Sequence, residues 1–415
     1  MMKARILFLI CIHLVTVHEL SAQVYGCTDP LAINYDNTAT NNNGSCVYTQ
    51  ASVAALSSVS LDPSISETSG LILWNEKLLT HNDNSDTVLY SLDTLSGNIL
   101  QQYYLPGVVN YDWEEIASDS EFIYIGDFGN NVNGNRTDLN ILRIEKSSLL
   151  NNTPVIDTIS FSYSDQFDFT PTGANNTDFD CEAFIVSQDS IFLFTKQWVS
   201  NKTALYSLPK NPGNHVAEFR SLLDVQGMVT GATYLESKRM IAFCAYTNLL
   251  QPFLYLLYDF QGTDFFGGNK RRLSLSLPFH QVEGIATGDG LKYYCSNEAF
   301  SQPPVINTPQ KLHIIDLSAY LGNYLNELIL TSKEQAVNSI TISPNPFSGS
   351  FTISGLGEMR NAEYMITDQY GKLISFGKLP ATRTEFDLST IISGIYFFSI
   401  RQDGSPSLFY KLIRQ

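Results

Sequence analysis

The chain has 415 residues, with 25 basic and 41 acidic side chains that give a formal charge of −16 at neutral pH. A field of that sign repels nucleic acid and anionic lipid, so neither is an expected partner. Aromatic residues make up 12%, and short Val, Ile, Leu, Tyr and Phe runs set between Asn, Thr, Ser and Gly predict an all-β fold, because such side chains pack well on a pleated surface.

The opening stretch MMKARILFLICIHLVTVHELSAQ places Lys3 and Arg5 before an apolar run and closes on Leu20, Ser21 and Ala22, the pattern of a secretory signal peptide over 1–22. That run is shorter than the roughly 20 apolar residues that span a bilayer. No later segment is longer, so no transmembrane segment is expected. Cys11 leaves with the signal, Cys27 and Cys46 bracket residues 23–49, and Cys181, Cys244 and Cys295 lie further on. An odd number there leaves at least one buried thiol, and Cys244 and Cys295 read as two thiols rather than a disulfide.

GCTDPLAINYDNTATNNNGSC, with Gly26, Cys27, Thr28, Asp29 and Pro30 at one end and Gly44, Ser45 and Cys46 at the other, resembles a short repeat common in proteins exported by the type IX secretion system. A Cys27–Cys46 disulfide would close a loop too small to hold a core unaided. Asp36, Asn37, Thr38 and Asn41 to Asn43 are oxygen-rich enough for Ca²⁺, but asparagine-rich turns need no ion.

Residues 50–325 contain an internal repeat. TSGLIL, WEEIAS, CEAFIV, VTGATY and VEGIAT align at Ser69, Glu114, Glu182, Thr230 and Glu283, with gaps of 45, 68, 48 and 53 residues. Each is followed by a second strand pattern that ends in polar residues, such as KLLTHND and FIYIGDFGNN. The spacing predicts a β-propeller of four-stranded blades, five in number with six as the alternative. SVAALSSVSL is placed to complete the last blade beside KLHIIDLS. The innermost strands of a propeller run along its channel, so Glu114, Glu182 and Glu283 would face one mouth and repel one another unless a cation sits among them.

Two roles are open for this glutamate ring. The carboxylates bind a divalent ion, Ca²⁺ by the hardness of the oxygens, with Asp127, Asn130 or Asn297 helping; or each accepts backbone amides as a structural role. Asp127, Gly129, Asn130 and Asn131 form a turn that can also hold a ligand, with Arg136 and Asp138 beyond it. His81 and His280 are the natural general bases if there is hydrolysis, and Lys196, next to Trp198, is a ligand contact or a solvated charge. No nucleophile elbow, zinc-protease helix or phosphate loop is present. SETSGL, DWEEIA, IGDFGNN, NGNRTDLNILRI and QVEGIA resemble the propellers of SdiA-regulated proteins and esterase-like phytase domains. That resemblance implies a calcium-binding or hydrolytic propeller, from which Thr230 departs where a carboxylate would stand.

Residues 326–337 read as a linker, and the segment 338–415 resembles the type A C-terminal sorting domain of type IX secretion. The matching positions are Pro344, Asn345, Pro346 and Gly349, then Asp368, Gly371 and Lys372, then Gly394 and Tyr396, and last Lys411. Alternating runs such as FTISGL and YFFSIR predict a small immunoglobulin-like β-sandwich. The resemblance implies recognition by the secretion machinery, passage across the outer membrane to the cell surface or medium, and removal during export. The function expected is that of an exported propeller that binds a ligand or divalent cation at its mouth. Its alternatives are a metal-assisted hydrolase of phosphoesters, esters or lactones, and a non-catalytic platform for proteins or glycans.

Overall fold

The structure is a computed structural model that describes residues 23–84, 86–337, 341–354, 362–369, 372–379, 384–401 and 408–415. The signal peptide and Gly371 lie outside the described residues. The chain divides into two compact units, Met1–Gly322 and Asn323–Gln415.

In the first unit, five antiparallel four-stranded blades follow one another, two of them joined edge to edge in one eight-stranded sheet and another extended by the short parallel strand Ser52–Val53. Blade 1 runs Thr68–Trp74, Lys77–Asn82, Val88–Leu92 and Ile99–Tyr104. Blade 2 runs Trp113–Ser118, Phe122–Asp127, Asn140–Glu145 and Ile156–Tyr163. Blade 3 comprises Asp180–Ser187, Ser190–Lys196, Thr203–Pro209 and Gly213–Leu223, whose last strand also pairs in parallel with the outer strand of blade 2. Blade 4 comprises Met228–Leu235, Met240–Tyr246, Pro252–Tyr258 and Asn269–Leu275.

Blade 5 takes Val282–Thr287, Lys292–Asn297 and Lys311–Asp316 from one end of the propeller and Ser57–Ser60 from the other. This closes the ring as the sequence predicts. A buried imidazole seals the closure, since His313 Nδ1 meets Ser58 Oγ at 2.7 Å and its Nε2 meets Asn297 Oδ1 at 2.8 Å. Neighbouring innermost strands touch all the way round. The blades pack through interleaved apolar layers: Tyr124, Phe128 and Phe161 of blade 2 against Phe184 and Tyr206 of blade 3, and Phe194 of blade 3 against Phe243 of blade 4. Burial of each such ring contributes about 1.5–3 kcal/mol.

The innermost strands share one irregularity. Their register against the second strand slips by one residue, and the residue left unpaired is Glu114 in blade 2, Glu182 in blade 3, Thr230 in blade 4 and Glu283 in blade 5. In blade 1 the slip falls at Gly70 and Leu71. A β-bulge re-aims the side chain it carries, so the aligned positions of the repeat are the bulged ones in blades 2 to 5, while in blade 1 the aligned Ser69 pairs with His81 and directly precedes the bulge. The glycine beside the bulge has a steric cause. At Gly70, φ is +60° and an added Cβ would lie 2.7 Å from the Ile116 amide nitrogen; at Gly231 it would lie 2.4 Å from the Glu283 carbonyl oxygen.

Hydroxyls at the aligned positions of blades 1 and 4 tie one blade to the next: Ser69 Oγ donates to the Glu114 carbonyl and Thr230 Oγ1 to the Val282 carbonyl, each at 2.5 Å. Glu115, one residue past the bulge, is fully buried. Its carboxylate accepts the amides of Ile116 at 2.9 Å and, across the channel, of Ala232 at 2.6 Å, together with that of Leu71. Blades 1, 2 and 4 thus share one acceptor at the waist of the channel.

Residues 23–49 are not a free spacer. The Cys27–Cys46 disulfide forms, and Cys181, Cys244 and Cys295 are buried thiols. The module is fixed to blade 4, where Tyr258 and Tyr48 donate to Asp29 Oδ2 at 2.6 and 2.8 Å and Asn42 donates to Asp259 and Asn269. Ser318–Val337 is a helix and takes in the stretch expected as a linker. Asp316 caps its start by accepting the Ser318 amide, and the Leu- and Glu-rich segment beyond Gly322 has no glycine or proline to break it.

The second unit folds as two sheets, Thr341–Ser343, Ser350–Ser354 and Thr384–Asp387 in one and Glu363–Asp368, Leu373–Lys378, Gly394–Arg401 and Leu408–Arg414 in the other. Phe351, Ile353, Phe386 and Phe398 fill the core between them. Several of its motif residues have structural work: Asn345 bonds the Lys411 carbonyl and the Ile413 amide, the Gly349 carbonyl accepts the Leu388 amide, Asp368 accepts the Lys372 amide, and Tyr396 donates to the Ile392 carbonyl.

Glu115→Ala leaves three buried amides without their acceptor. At about 1–3 kcal/mol for each unpaired donor, the unfolding free energy of the variant in denaturant is expected to fall by about 3 kcal/mol or more. An unchanged midpoint would mean that the channel waist does not depend on this carboxylate.

Candidate functional site

The bulges open onto a polar cavity of about 190 Å³ at the mouth where the inner strands begin. Ser69, Glu114, Glu182 and Glu283 enter it from the inner strands, Asp83, Lys196, Tyr246 and Glu298 from the ends of the second strands, and Asn131, Asn175, Trp198 and Gln281 from the loops. Glu114, Glu182 and Glu283, aligned in the sequence, do converge. Alternate positions on these strands add more oxygen: Asp180 precedes Glu182 by two residues, as Asp112 precedes Glu114 and Gln281 precedes Glu283.

Lys196 is the internal counter-ion. Its ammonium donates to both oxygens of Glu182 at 2.6 Å and to Tyr246 Oη at 3.0 Å, and it lies 4.4 Å from the Trp198 ring centroid. Burial opposes its charge, but Glu182, Tyr246 and Glu283 around it hold its pKa above the usual lysine value. Asp180 is committed on both sides, accepting the Asn130 amide at 2.6 Å and the Trp198 indole N–H at 2.7 Å. Glu114, Asp180 and Glu182 bring oxygens within 4.8 Å of one another. Glu114 and Asp112 both reach over Gly129, where a Cβ would come within 2.2 and 2.3 Å of their oxygens. Only glycine admits the two carboxylates there.

Among the described residues, no such cation lines the other side of the cavity. Glu283 Oε2, Asp83 Oδ1 and Gln281 Oε1 are buried with no hydrogen-bond partner among those residues, and the Glu283 side chain is almost wholly enclosed. Burial, and then the neighbouring acids Glu298, Glu67, Asp112 and Glu283, push the Asp83 carboxyl up to about 8. Glu283 is raised to about 8 and Glu298 to about 7, each by burial first, against the pull of Lys196. Asp112 is raised to about 6 by burial and by Asp180.

The remaining residues singled out in the sequence lie elsewhere. Asp127 accepts the Tyr111 and Asp112 amides and pairs with Arg136 at 2.9 Å, so its charge is already met outside the cavity. Asn130 holds the Arg136 amide and the Phe179 carbonyl. Asn297 spans the Glu298 and Pro309 carbonyls and His313. His81 is buried edge-on against Trp113, bonded to its neighbour's carbonyl at Asn82, and desolvation lowers its pKa to about 4. His280 sits outside the cavity, with Nδ1 3.0 Å from the Pro278 carbonyl oxygen and its ring beside His313. Sequence reasoning missed Asp83, Asp180, Tyr246, Gln281 and Glu298. The signal was available for Asp180 and Gln281, in the repeated acid or amide two residues before each bulged glutamate.

No curated protein matches this sequence. Among solved structures, the RRP9 WD40 repeats are similar at TM-score 0.34 and 7% identity, over 64% of this chain and 99% of that one. A mitotic checkpoint complex chain is similar at TM-score 0.33 and 11% identity, over 65% of this chain and 97% of that one. No helix among the described residues is long and apolar enough to cross a membrane. Residues 341–415 match the family model for the secretion system C-terminal sorting domain. The protein is therefore a β-propeller that carries a type IX sorting domain, by which the secretion machinery exports it across the outer membrane to the cell surface or extracellular space.

Proposed function

We propose that the propeller is an extracellular binding domain whose acidic mouth holds a divalent cation, Ca²⁺. The carrying observation is the set of unpaired, buried oxygens on Asp83, Gln281 and Glu283 in one cavity. A buried acceptor without a donor costs about 1–3 kcal/mol, and a hard cation removes that cost while offsetting the repulsion among five lining carboxylates that face one lysine. The ion would be shared between Glu114, whose oxygen lies within 4.8 Å of those of Asp180 and Glu182, and the unpaired oxygens of Asp83, Gln281 and Glu283 in the same cavity, because Lys196 already neutralises Glu182. The resemblance to SdiA-regulated propellers and the likeness of residues 23–49 to a type IX export module support the same reading. Neither His81 nor His280 lines the cavity, so a metal-assisted hydrolase would have to draw its general base from the raised carboxyls that this reading assigns to the ion.

The test is metal content by mass spectrometry on the mature chain, with thermal melting before and after chelation. A stoichiometric ion is expected, with a melting point that drops on chelation and recovers with Ca²⁺, and Glu283→Gln is expected to weaken Ca²⁺ about tenfold or more by removing a charged ligand. A metal-free protein whose melting ignores both chelator and Ca²⁺ would sink the reading.

The raised carboxyls give the chelated protein a characteristic pH response. Asp83, Glu283 and Glu298 keep protons in the fold that the unfolded chain releases near pH 4, so stability is greatest on the acid side and is lost as pH climbs through about 7 to 8. Melting of the chelated protein is expected to fall between about pH 5 and about pH 8.5, while the gain on adding Ca²⁺ widens over the same range because the ion competes with those protons. A Ca²⁺-induced gain that does not change with pH would contradict this account.

A further inference from the structure

The acidic cavity lies within an apolar collar. Loops that leave the second strands and loops that lead into the inner strands all emerge on the mouth side, because the cavity residues sit at those strand ends. On successive loops of this face, Tyr111, Val132, Phe167, Val199, Leu249 and Val305 are each at least 60% exposed. Phe167, at 86%, projects from the insertion between blades 2 and 3, whose backbone is fastened beside the mouth by the Thr172 and Asn175 amides bonded to the Asn133 and Asn131 carbonyls. Among the described residues, loops of the opposite face expose Leu56, Leu95, Leu150 and Val155, and the disulfide-closed module fixed at that end of blade 4 adds Tyr25, Ile33 and Val47, but no acidic cavity lies among them. Exposed apolar residues scattered singly mean little, but a set that encircles one polar cavity marks an interaction surface.

We propose that the mouth face of the propeller is a docking surface for a polypeptide that presents a lysine or arginine side chain flanked by apolar residues. Charge complementarity chooses this occupant. The chain is strongly acidic overall, and the cavity gathers five carboxylates around a single ammonium. The protein also shows how such a group is received. Lys196 lies between the Glu182 carboxylate, the Tyr246 hydroxyl and the Trp198 ring, and a second basic group that enters beside Glu283 and Asp83 finds unpaired carboxylate oxygens of the same kind, with Glu298 lining the same cavity. Apolar neighbours on the ligand would cover Phe167, Leu249 and Val305, the contacts that supply affinity, while the basic side chain fixes register. This surface does not depend on the ion; where Ca²⁺ occupies the acids it competes with the basic group.

The test is selection of a displayed random dodecapeptide library on the immobilised mature chain in chelator, followed by fluorescence anisotropy with the winning synthetic peptide. Enriched sequences are expected to centre on a lysine or arginine between apolar residues, and replacement of that residue by norleucine is expected to weaken binding about tenfold or more. A rim variant combining Phe167→Ser, Leu249→Ser and Val305→Ser is expected to lose binding to a similar degree with unchanged melting, while Leu95→Ser with Leu150→Ser on the opposite face leaves it intact. The proposal is overturned if no sequence enriches, if the norleucine peptide binds as well, or if the rim variant retains full affinity. It is also overturned if phosphatidylcholine vesicles bind the collar and the peptide does not displace them, which would assign the surface to lipid. The ion reading fails or stands on the chelation melts alone, so the two outcomes are separable.

Discussion

Everything at the mouth rests on one recurrent backbone irregularity, the residue inserted into each innermost strand against its neighbour. A regular antiparallel ladder alternates its side chains between the two faces of a blade and gives none of them a view down the axis. A single extra residue breaks that alternation and turns one side chain toward the channel. Because five strands do this at one level, the bulged residues meet. The hydroxyls at or beside the bulges, Thr230 and Ser69, are spent on tying blade to blade; the glutamates are left facing one another.

Confronting carboxylates in a confined space must be answered by a proton, a cation or an amide. The protein uses a different answer at each depth. At the waist, Glu115 is met by backbone amides and becomes a fastener between blades. At the level of the bulges, Glu182 is met by Lys196 and Asp180 by an indole and an amide. In the same cavity, Asp83, Gln281 and Glu283 retain oxygens that no described residue meets.

Much of this architecture was legible because a propeller repeats itself. The five aligned motifs, the closing strand and the convergence of Glu114, Glu182 and Glu283 all follow from a repeat that sequence displays openly. Which neighbour of a motif residue faces the cavity was less legible. Asp127 and His81 look as suitable as Asp83 and Lys196, yet strand alternation and local partners, Arg136 for one and Trp113 for the other, turn them away. Parity along a strand is lost at a bulge, so counting from the repeat misplaces residues on its far side. The helix at Ser318–Val337 was hidden for another reason: the apolar stripe of its sequence, Leu321, Leu325, Leu328 and Ile329, ends halfway, and the polar run Thr331 to Gln335 beyond it has the composition of a linker.

The closing strand has a consequence for how the molecule comes to be folded. Ser58 and His313, which meet across the seam, are 255 residues apart in the chain, so the last blade is assembled from the most distant parts of the propeller. Until Ser57–Ser60 arrives, the edge of Lys311–Asp316 is an open template for any strand of matching pattern. Another copy's Ser57–Ser60 matches it perfectly. Crowded, incompletely closed chains therefore exchange this strand most readily, linking two rings through their seams, and a short closing strand of only four residues limits how firmly such a link holds.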